Sequence, residues 1–236
     1  MAGTWVSCPG RPKSFGMFPR ASNLLLGILS LNVAWFVLYS AQLAYSGLMS
    51  EAPSEVSRAF FTGAPVSNAL LAGHMLAGAV LTIGAPLQAM PVFRTRWPQL
   101  HRRAGYALFG LAVVTGLAGL GYIALQGTVG GWWMSLWFAV YGLMLIWAAA
   151  NTIYHALNKD MRRHMEWATR LVILAVGSWI YRMHYAIWFG LTDGIASNDR
   201  FTGTFDLIQV FAFYLPYLLL AEVILRYRSR SSVRLA

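Results

Sequence analysis

The chain has 236 residues, of which 58% are hydrophobic and only 11% are charged, and its mean hydropathy is +0.54. Soluble domains carry about 25% charged residues, so this composition excludes an ordinary soluble domain and predicts an integral membrane protein. The formal net charge of +10 raises the question of a nucleic-acid partner, but the basic residues cluster at the ends of apolar segments, which argues against one.

Six apolar runs follow one another along the chain, each long enough to cross a bilayer as a helix of roughly 20 residues. They cover about residues 24–46, 69–90, 104–126, 132–155, 166–189 and 206–226. In lipid, every backbone N–H and C=O needs a partner within its own segment, which favours helices. The sequence therefore predicts a single membrane domain over residues 1–236, an all-α bundle of six transmembrane helices.

The basic residues alternate with the predicted spans. Fourteen of the 18 lie before span one, between spans two and three, between spans four and five, or after span six: Arg11, Lys13, Arg20, Arg94, Arg96, Arg102, Arg103, Lys159, Arg162, Arg163, Arg226, Arg228, Arg230 and Arg234. Since consecutive spans cross in opposite directions, these segments share one side, which the positive-inside rule assigns to the cytoplasm. We therefore expect both termini in the cytoplasm, in a multi-pass protein of a bacterial inner membrane with the lipid bilayer as its immediate partner.

The cysteine content and the absence of common motifs narrow the chemistry. The one cysteine, Cys8, precedes span one, so no intrachain disulfide forms. The sequence has no C-x-x-C-H motif, which excludes the usual covalent attachment of a c-type haem. It also has no H-E-x-x-H zinc helix, G-x-S-x-G elbow, phosphate-binding loop or cysteine cluster. Hydrolases and nucleotide-driven proteins are therefore not indicated.

Spans two and three carry stripes of small residues on one helical face. In span two the stripe begins at His74, passes Gly78 and ends at Gln88, and in span three it includes Gly105 and Gly116. Small residues on one face allow a second helix, or a flat cofactor, to approach closely. Helix packing explains the small residues but not the polar side chains at the two ends of the stripe in span two.

Five histidines lie inside or at the ends of the spans, namely His74, His101, His155, His164 and His184. An ionisable side chain at membrane depth is a functional hypothesis by default. At a rise of 1.5 Å per residue, His74 and His184 lie roughly 25 Å from the cytoplasmic boundary, whereas the other three collect at that boundary. Imidazoles from different helices are common axial ligands of haem iron in membrane bundles. We therefore predict haem b, held non-covalently, with His101, His164 and His74 as the candidate metal ligands.

Residues near these histidines are candidates for contacts with the rest of the cofactor. We expect Arg102 and Arg170 to receive the haem propionates, with Arg182 as a further candidate. Gly78 is expected to leave room for the porphyrin ring. These predictions complete the cofactor-binding set.

Helical phase restricts how many haems one span can serve. His164 and His184 are 20 residues apart, which places them about 200° apart around the helix and about 30 Å apart along it. A stack of two haems that uses both histidines of span five is therefore disfavoured. A single site near the cytoplasmic end, formed by His101 and His164, is consistent with this phase, with His74 acting separately.

Other polar residues have simpler interpretations. His155 is interpreted as an interfacial residue at the end of span four, and His184 as part of an outer aromatic belt. Glu222, one turn before the basic residues Arg226 and Arg228, is expected to pair locally rather than to relay protons.

Three segments, "GHMLAGAVLTIGAPLQ", "LHRRAGY" and "HMEWATR", resemble a family of predicted bacterial multispan membrane proteins catalogued as a domain of unknown function. Its pattern is G-H-x3-G with a following G-P-x-Q, then R, then H-R-x2-G-x-x-Y, then H-x2-W-M-x-R. The resemblance covers Gly73 to Arg182 and marks His74, Gly78, Gln88, Arg94, His101, Arg102, Gly105, His164, Trp167 and Arg170. The chain departs from the pattern at Ala85, which precedes Pro86, at Tyr106, which follows Gly105 directly, and at Ala168, where methionine is usual.

This resemblance implies a distant likeness to membrane b-type cytochromes and ferric reductases in helix number and histidine placement. The leading hypothesis is therefore a membrane redox protein that binds haem b and exchanges electrons with quinone. The alternative is a non-catalytic accessory or assembly subunit, whose faces rich in tryptophan and glycine bind partner helices or pigments. A third hypothesis is a carrier for a small molecule or ion that uses His74 and Arg182.

Overall fold

The computed structural model describes the backbone of residues 19–233 and the side chains of residues 23–227. In this part the chain forms nine α-helices and no strand: α1 (Pro19–Met49), α2 (Pro53–Val56), α3 (Pro65–Ala89), α4 (Pro91–Arg96), α5 (Pro98–Gln126), α6 (Gly131–Leu157), α7 (Met161–Thr192), α8 (Thr204–Ala212) and α9 (Leu215–Val233). Several residues discussed above lie outside the described side chains, namely Cys8, Arg11, Lys13, Arg20, Arg228, Arg230 and Arg234.

Six segments of the described chain are long and apolar enough to cross a membrane, which confirms the predicted number of spans. They are Asn23–Met49, Pro65–Ala89, Pro98–Gln126, Gly131–Leu157, Met161–Thr192 and Thr204–Tyr227. Most extend beyond the apolar runs, because a helix continues past the hydrocarbon core into its polar ends. The fifth span begins early because the Asp160 side chain caps α7, accepting a hydrogen bond from the backbone N–H of Arg163 at 3.0 Å.

The sixth span consists of two helices rather than one. α8 ends at Ala212 and α9 begins at Leu215, one residue before Pro216. Proline lacks a backbone N–H and fits best in the first turn of a helix, so Pro216 favours a new start at this position. The other intramembrane proline, Pro86, lies inside α3 without ending it.

The spans pack as sequential neighbours around α3. α3 contacts α1, α5 and α7, and α6 lies between α5 and α7. The buried core contains Leu81, Ala112, Leu145 and Leu174 together with the aromatic side chain of Tyr214. Alanine and glycine at these crossings allow the helix backbones to approach closely. In lipid, the van der Waals contacts of such close packing favour helix association, because no hydrophobic effect acts between apolar helices.

The bundle has two chemically different ends. The basic end contains the end of α3, the start of α5, the end of α6 and the start of α7. The loop end contains α2 and the segment between α7 and α8. These two loop segments meet, because Arg58 Nη1 donates to the carbonyl oxygen of Asp199 at 2.7 Å. The assignment of the basic end to the cytoplasm stays a prediction from the charge distribution.

Candidate functional site

Two of the predicted ligands line one cavity at the basic end, which we call the basic-end cavity. It has a volume of about 100 Å³ and lies between α3, α5, α6 and α7. His101 and His164 both line it, together with Gln88 and Gly105. Apart from Thr152, the remaining wall is apolar: Leu81, Ala85, Ala89, Leu108, Phe109, Ala149, Ile153, Ala168, Leu171 and Val172. The tertiary structure therefore brings His101 and His164 to one cavity, an arrangement with which the helical phase is consistent.

The His101 ring is held by a reciprocal pair of hydrogen bonds with Gln88 on α3. Gln88 Nε2 donates to the backbone carbonyl of His101 at 2.6 Å, and His101 Nδ1 lies 2.9 Å from Gln88 Oε1. Because the amide nitrogen serves the carbonyl, Oε1 faces the ring and accepts from Nδ1–H. Gly105 lies beside this pair, and a Cβ there would stand 3.4 Å from Gln88 Nε2, an ordinary packing distance.

The His164 ring is held in the same manner by a backbone carbonyl. His164 Nδ1 lies 2.9 Å from the carbonyl oxygen of Thr152, near the end of α6. A carbonyl oxygen only accepts, so Nδ1 carries the hydrogen. In a neutral ring the other nitrogen, Nε2, then keeps its lone pair. His164 and His101 thus share one tautomer, set from two different helices.

This tautomer is the one that metal-binding histidines normally adopt. A ligating imidazole usually donates its second N–H to a carbonyl or carboxylate, which sets the ring orientation and raises the basicity of the ligating nitrogen. Gln88 and Thr152 supply such acceptors to His101 and His164. The described residues include no group of three or more His, Cys, Asp or Glu side chains placed to hold a metal ion by themselves.

The predicted accessory residues do not all lie at this cavity. Arg102 is exposed at the basic end, one residue after His101. Arg170 instead lines a separate groove between α6, α7 and α9, where its Nη2 donates to Glu222 Oε2 at 2.6 Å and its guanidinium lies 4.7 Å from the Trp167 ring. Neither arginine lines the basic-end cavity.

Gly78 lies at the crossing of α3 and α5. A Cβ on Gly78 would meet Thr115 Cγ2 at 3.4 Å, an ordinary packing distance. One turn later, Thr82 Oγ1 lies 2.7 Å from the carbonyl of Gly78 and 2.9 Å from the carbonyl of Ala175 on α7. Gly78 therefore belongs to the packed junction of α3, α5 and α7.

The third predicted ligand, His74, lines a different and larger cavity, which we call the loop-end cavity. Its volume is about 270 Å³, and it is lined by residues of α3, α5, α6 and α7 that include Thr115, Tyr141 and Arg182. His74 Nδ1 lies 2.8 Å from the carbonyl oxygen of Thr115, so this ring also carries its hydrogen on Nδ1. The structure thus separates His74 from the pair at the basic end.

The other two histidines, His155 and His184, line neither cavity. His155 is buried, and its Nδ1 lies 4.0 Å from Asp160 Oδ2. Both ring nitrogens of His184 are engaged: Nδ1 lies 3.1 Å from Gln209 Oε1, and Nε2 lies 2.8 Å from the hydroxyl of Tyr217. His184 therefore connects α7 to α8 and α9.

Glu222 pairs with two arginines. Its Oε1 lies 3.3 Å from Arg226 Nε on the same helix, the local pairing that the sequence predicts, and its Oε2 accepts from Arg170 on α7. The second contact was not predicted.

Thr152 and Thr115 are the site residues that sequence reasoning missed. Both accept through their backbone carbonyl oxygens, which every residue has, so the residue type does not reveal them. Gln88, by contrast, is marked by its place in the G-P-x-Q motif and at the end of the polar stripe. Side-chain acceptors can thus be found from sequence, whereas backbone acceptors cannot.

Comparison with known proteins identifies one family. The family model described as "Predicted membrane protein (DUF2306)" matches residues 71–225. This range includes the histidines of both cavities. No curated protein and no solved structure matches the chain.

Proposed function

This chain belongs to the DUF2306 family of predicted membrane proteins, and we propose that it is a membrane redox protein that binds haem b between His101 and His164. Its electron partner is a lipid-soluble quinone. The haem supplies one-electron transfer, and the protein supplies axial ligands, an apolar environment and a position in the bilayer.

One observation carries this proposal: two imidazoles from α5 and α7 line one apolar cavity, each with its Nδ1–H bonded to an oxygen of another helix. Both rings are thereby prepared to ligate through Nε2, which is the arrangement that outer hydrogen bonds produce at metal sites. Such anchors also prevent the rings from turning away from the cavity. A pair of interfacial histidines that only faced lipid headgroups would not need them.

The basic-end cavity supplies suitable nitrogen ligands for haem iron, but it is small for a porphyrin ring. Pockets for drug-sized ligands occupy roughly 300–1,000 Å³, and the basic-end cavity has only about 100 Å³. Side chains of the wall, foremost Leu108, Phe109 and Leu171, must therefore take other rotamers, or α5 and α7 must separate, to admit a porphyrin. The small residues Gly105 and Ala168 lie on the same wall and lessen the displacement required.

The test is an optical spectrum of the purified protein. The chain is produced in haem-replete cells, purified in detergent, and recorded as the dithionite-reduced minus oxidised spectrum. We expect an α-band of haem b and about one haem per chain, because one pair of axial imidazoles serves one iron. A spectrum without an α-band contradicts the proposal. The same blank spectrum with a stoichiometric partner protein in the preparation supports an accessory subunit instead.

Variants of the histidines separate ligation from folding. His101→Ala and His164→Ala are expected to lose the α-band, whereas His184→Gln, on the same helix as His164, keeps it. His164→Met places a thioether at the ligating position, and His/Met ligation raises the reduction potential of haem. We therefore expect this variant to keep a haem with a higher midpoint potential. An unchanged potential would show that His164 is not a ligand.

A further inference from the structure

The loop-end cavity contains polar groups that the proposed haem site does not use. His74, Thr115 and Arg182 line it, and aromatic side chains form much of the remaining wall, including Tyr181 and Phe213. At about 270 Å³, the cavity approaches the roughly 300–1,000 Å³ typical of pockets for organic ligands. It is therefore large enough for a single substituted ring.

His74 presents a hydrogen-bond acceptor to this cavity. Its Nδ1–H is bonded to the carbonyl oxygen of Thr115 at 2.8 Å, which leaves the lone pair on Nε2. Gly119 makes this orientation possible, because a Cβ at that position would lie 2.8 Å from His74 Nδ1. In its neutral form, the ring therefore offers Nε2 as an acceptor.

Thr115 and Arg182 present donors without sufficient acceptors in the protein. Thr115 is 5% exposed, and its Oγ1 has no hydrogen-bond partner within the described chain. Arg182 donates from Nη1 to the carbonyl of Ser178 at 3.0 Å and lies over the Phe36 ring at 4.8 Å. No described acidic side chain forms an ion pair with it. Buried polar groups are normally satisfied, so the unpaired Thr115 hydroxyl indicates a missing partner. Arg182 is exposed, and a guanidinium inside a predicted span with no carboxylate beside it is a candidate contact for a ligand that accepts hydrogen bonds.

We propose that the loop-end cavity binds the headgroup of a lipid-soluble hydroquinone. One phenolic hydroxyl donates to His74 Nε2, and a ring oxygen accepts from Arg182. The same oxygen accepts from Thr115 Oγ1 once the Thr115 side chain, which now faces Gly78, turns towards the cavity. The aromatic walls contact the ring, and the hydrocarbon tail extends towards the lipid. The choice of a quinol rests on the proposed redox function, whereas the binding itself requires no haem.

The polarity of the three groups favours a hydroquinone over a carboxylate. A carboxylate only accepts hydrogen bonds, so it would satisfy Arg182 and Thr115 but would face the lone pair of His74 Nε2. A hydroquinone donates and accepts at the same time and satisfies all three groups. The oxidised quinone has no hydroxyl to offer His74, and we expect it to bind more weakly than the quinol.

The test compares three ligands with hydrocarbon tails of nearly equal length, namely decylubiquinol under anaerobic conditions, decylubiquinone and decanoate. Binding to the full chain in detergent is measured by titration calorimetry and by the shift of Tm. We expect saturable binding of decylubiquinol with an increase in Tm, weaker binding of decylubiquinone, and weaker binding still of decanoate. Decanoate binding as tight as that of the quinol would overturn the proposal, as would the absence of saturable quinol binding.

Two variants localise the binding. Thr115→Val removes a hydroxyl that has no protein partner, so Tm without ligand is expected to stay the same or rise. Quinol affinity should fall about tenfold, as for one lost hydrogen bond. Arg182→Met is expected to weaken binding further. The assignment is overturned if Thr115→Val keeps the Tm of the wild type without ligand and binds the quinol as tightly as the wild type. This outcome is decisive even if Arg182→Met does not fold.

The two proposals fail independently. Quinol binding is measured on protein purified with and without haem, and it is expected in both preparations. A preparation that lacks an α-band but binds decylubiquinol contradicts only the haem site. A preparation with haem that does not bind decylubiquinol contradicts only the loop-end cavity assignment.

Discussion

Gly119 lies against the imidazole of His74, and we expect Gly119→Ala to displace that ring. A Cβ on Gly119 would stand 2.8 Å from Nδ1 and 3.2 Å from Cε1 of His74. Both distances are shorter than the roughly 3.5–4.0 Å of an unstrained contact. The ring must turn away, and its Nδ1–H then loses the carbonyl oxygen of Thr115, now 2.8 Å away.

A matched glycine on the same helix isolates the free-energy cost of displacing the His74 ring. A Cβ added to Gly110 would meet no atom within 4 Å, so Gly110→Ala carries the helix-propensity change alone. Gly119→Ala carries the same change together with a buried donor left unpaired, which costs about 1–3 kcal/mol. We therefore expect the free energy of unfolding of Gly119→Ala to be about 1–3 kcal/mol lower than that of Gly110→Ala.

The assay is unfolding in mixed micelles by SDS titration, followed by circular dichroism. It is repeated in a His74→Ala background, where no imidazole remains to be displaced. In that background, Gly119→Ala and Gly110→Ala are expected to change the free energy of unfolding equally. The coupling free energy between Gly119 and His74 should therefore lie within the roughly 0.5–3 kcal/mol measured for residues in contact. Effects that add to within about 0.5 kcal/mol would refute the reasoning, because distant and independent sites behave in that way.

Three other side chains give further expectations. Gln88→Leu removes the acceptor of His101 Nδ1–H, so haem affinity, measured by haem titration, should fall about 10- to 100-fold, as at other metal sites that lose an outer hydrogen bond. Glu222→Gln weakens the contact with Arg170, whose side chain is only 19% exposed, and should lower the free energy of unfolding by about 1 kcal/mol in the SDS titration. Asp206 is 0% exposed and accepts four hydrogen bonds; Asp206→Asn places an amide donor among those donors and should cost about 3 kcal/mol or more in the same assay.

Controls for these variants are present in the same networks. Arg226 is 74% exposed, so Arg226→Gln should change the free energy of unfolding by less than about 0.5 kcal/mol, although it also contacts Glu222. Tyr185→Phe removes one donor to Asp206 and should cost about 1 kcal/mol. An equal loss in Arg226→Gln and Glu222→Gln would mean that the contact with Arg170 contributes nothing. An unchanged haem affinity in Gln88→Leu would mean that the His101 anchor is unnecessary.

Much of the fold could be predicted because the relevant signals are local. The number of spans follows from the length and hydropathy of each run, and the structure confirms all six. Pro216 lies at the break in the sixth span, but a proline alone does not predict such a break, since α3 continues through Pro86. Whether a proline bends or ends a helix depends on which neighbouring groups satisfy the freed carbonyl.

The candidate site was only partly predictable. His101 and His164 could be placed at one end by counting residues along each span, and helical phase separated His164 from His184. Phase within one helix does not give the rotation of that helix relative to its neighbours. The prediction that Arg170 receives a haem propionate depended on that rotation, and in the structure its guanidinium contacts Glu222 on α9.

The sequence by itself determined that this is a six-span helical membrane protein with its histidines divided between two depths. Composition, run length and residue spacing are sufficient for those conclusions, because the bilayer imposes the same requirement on every segment. Only the tertiary structure decided that His101 and His164 share one cavity while His74 lines another, and that Gln88 Oε1 and the carbonyls of Thr152 and Thr115 orient the three rings. Those pairings join atoms on different helices, and they depend on interhelical rotation and axial register, which packing of the whole bundle determines.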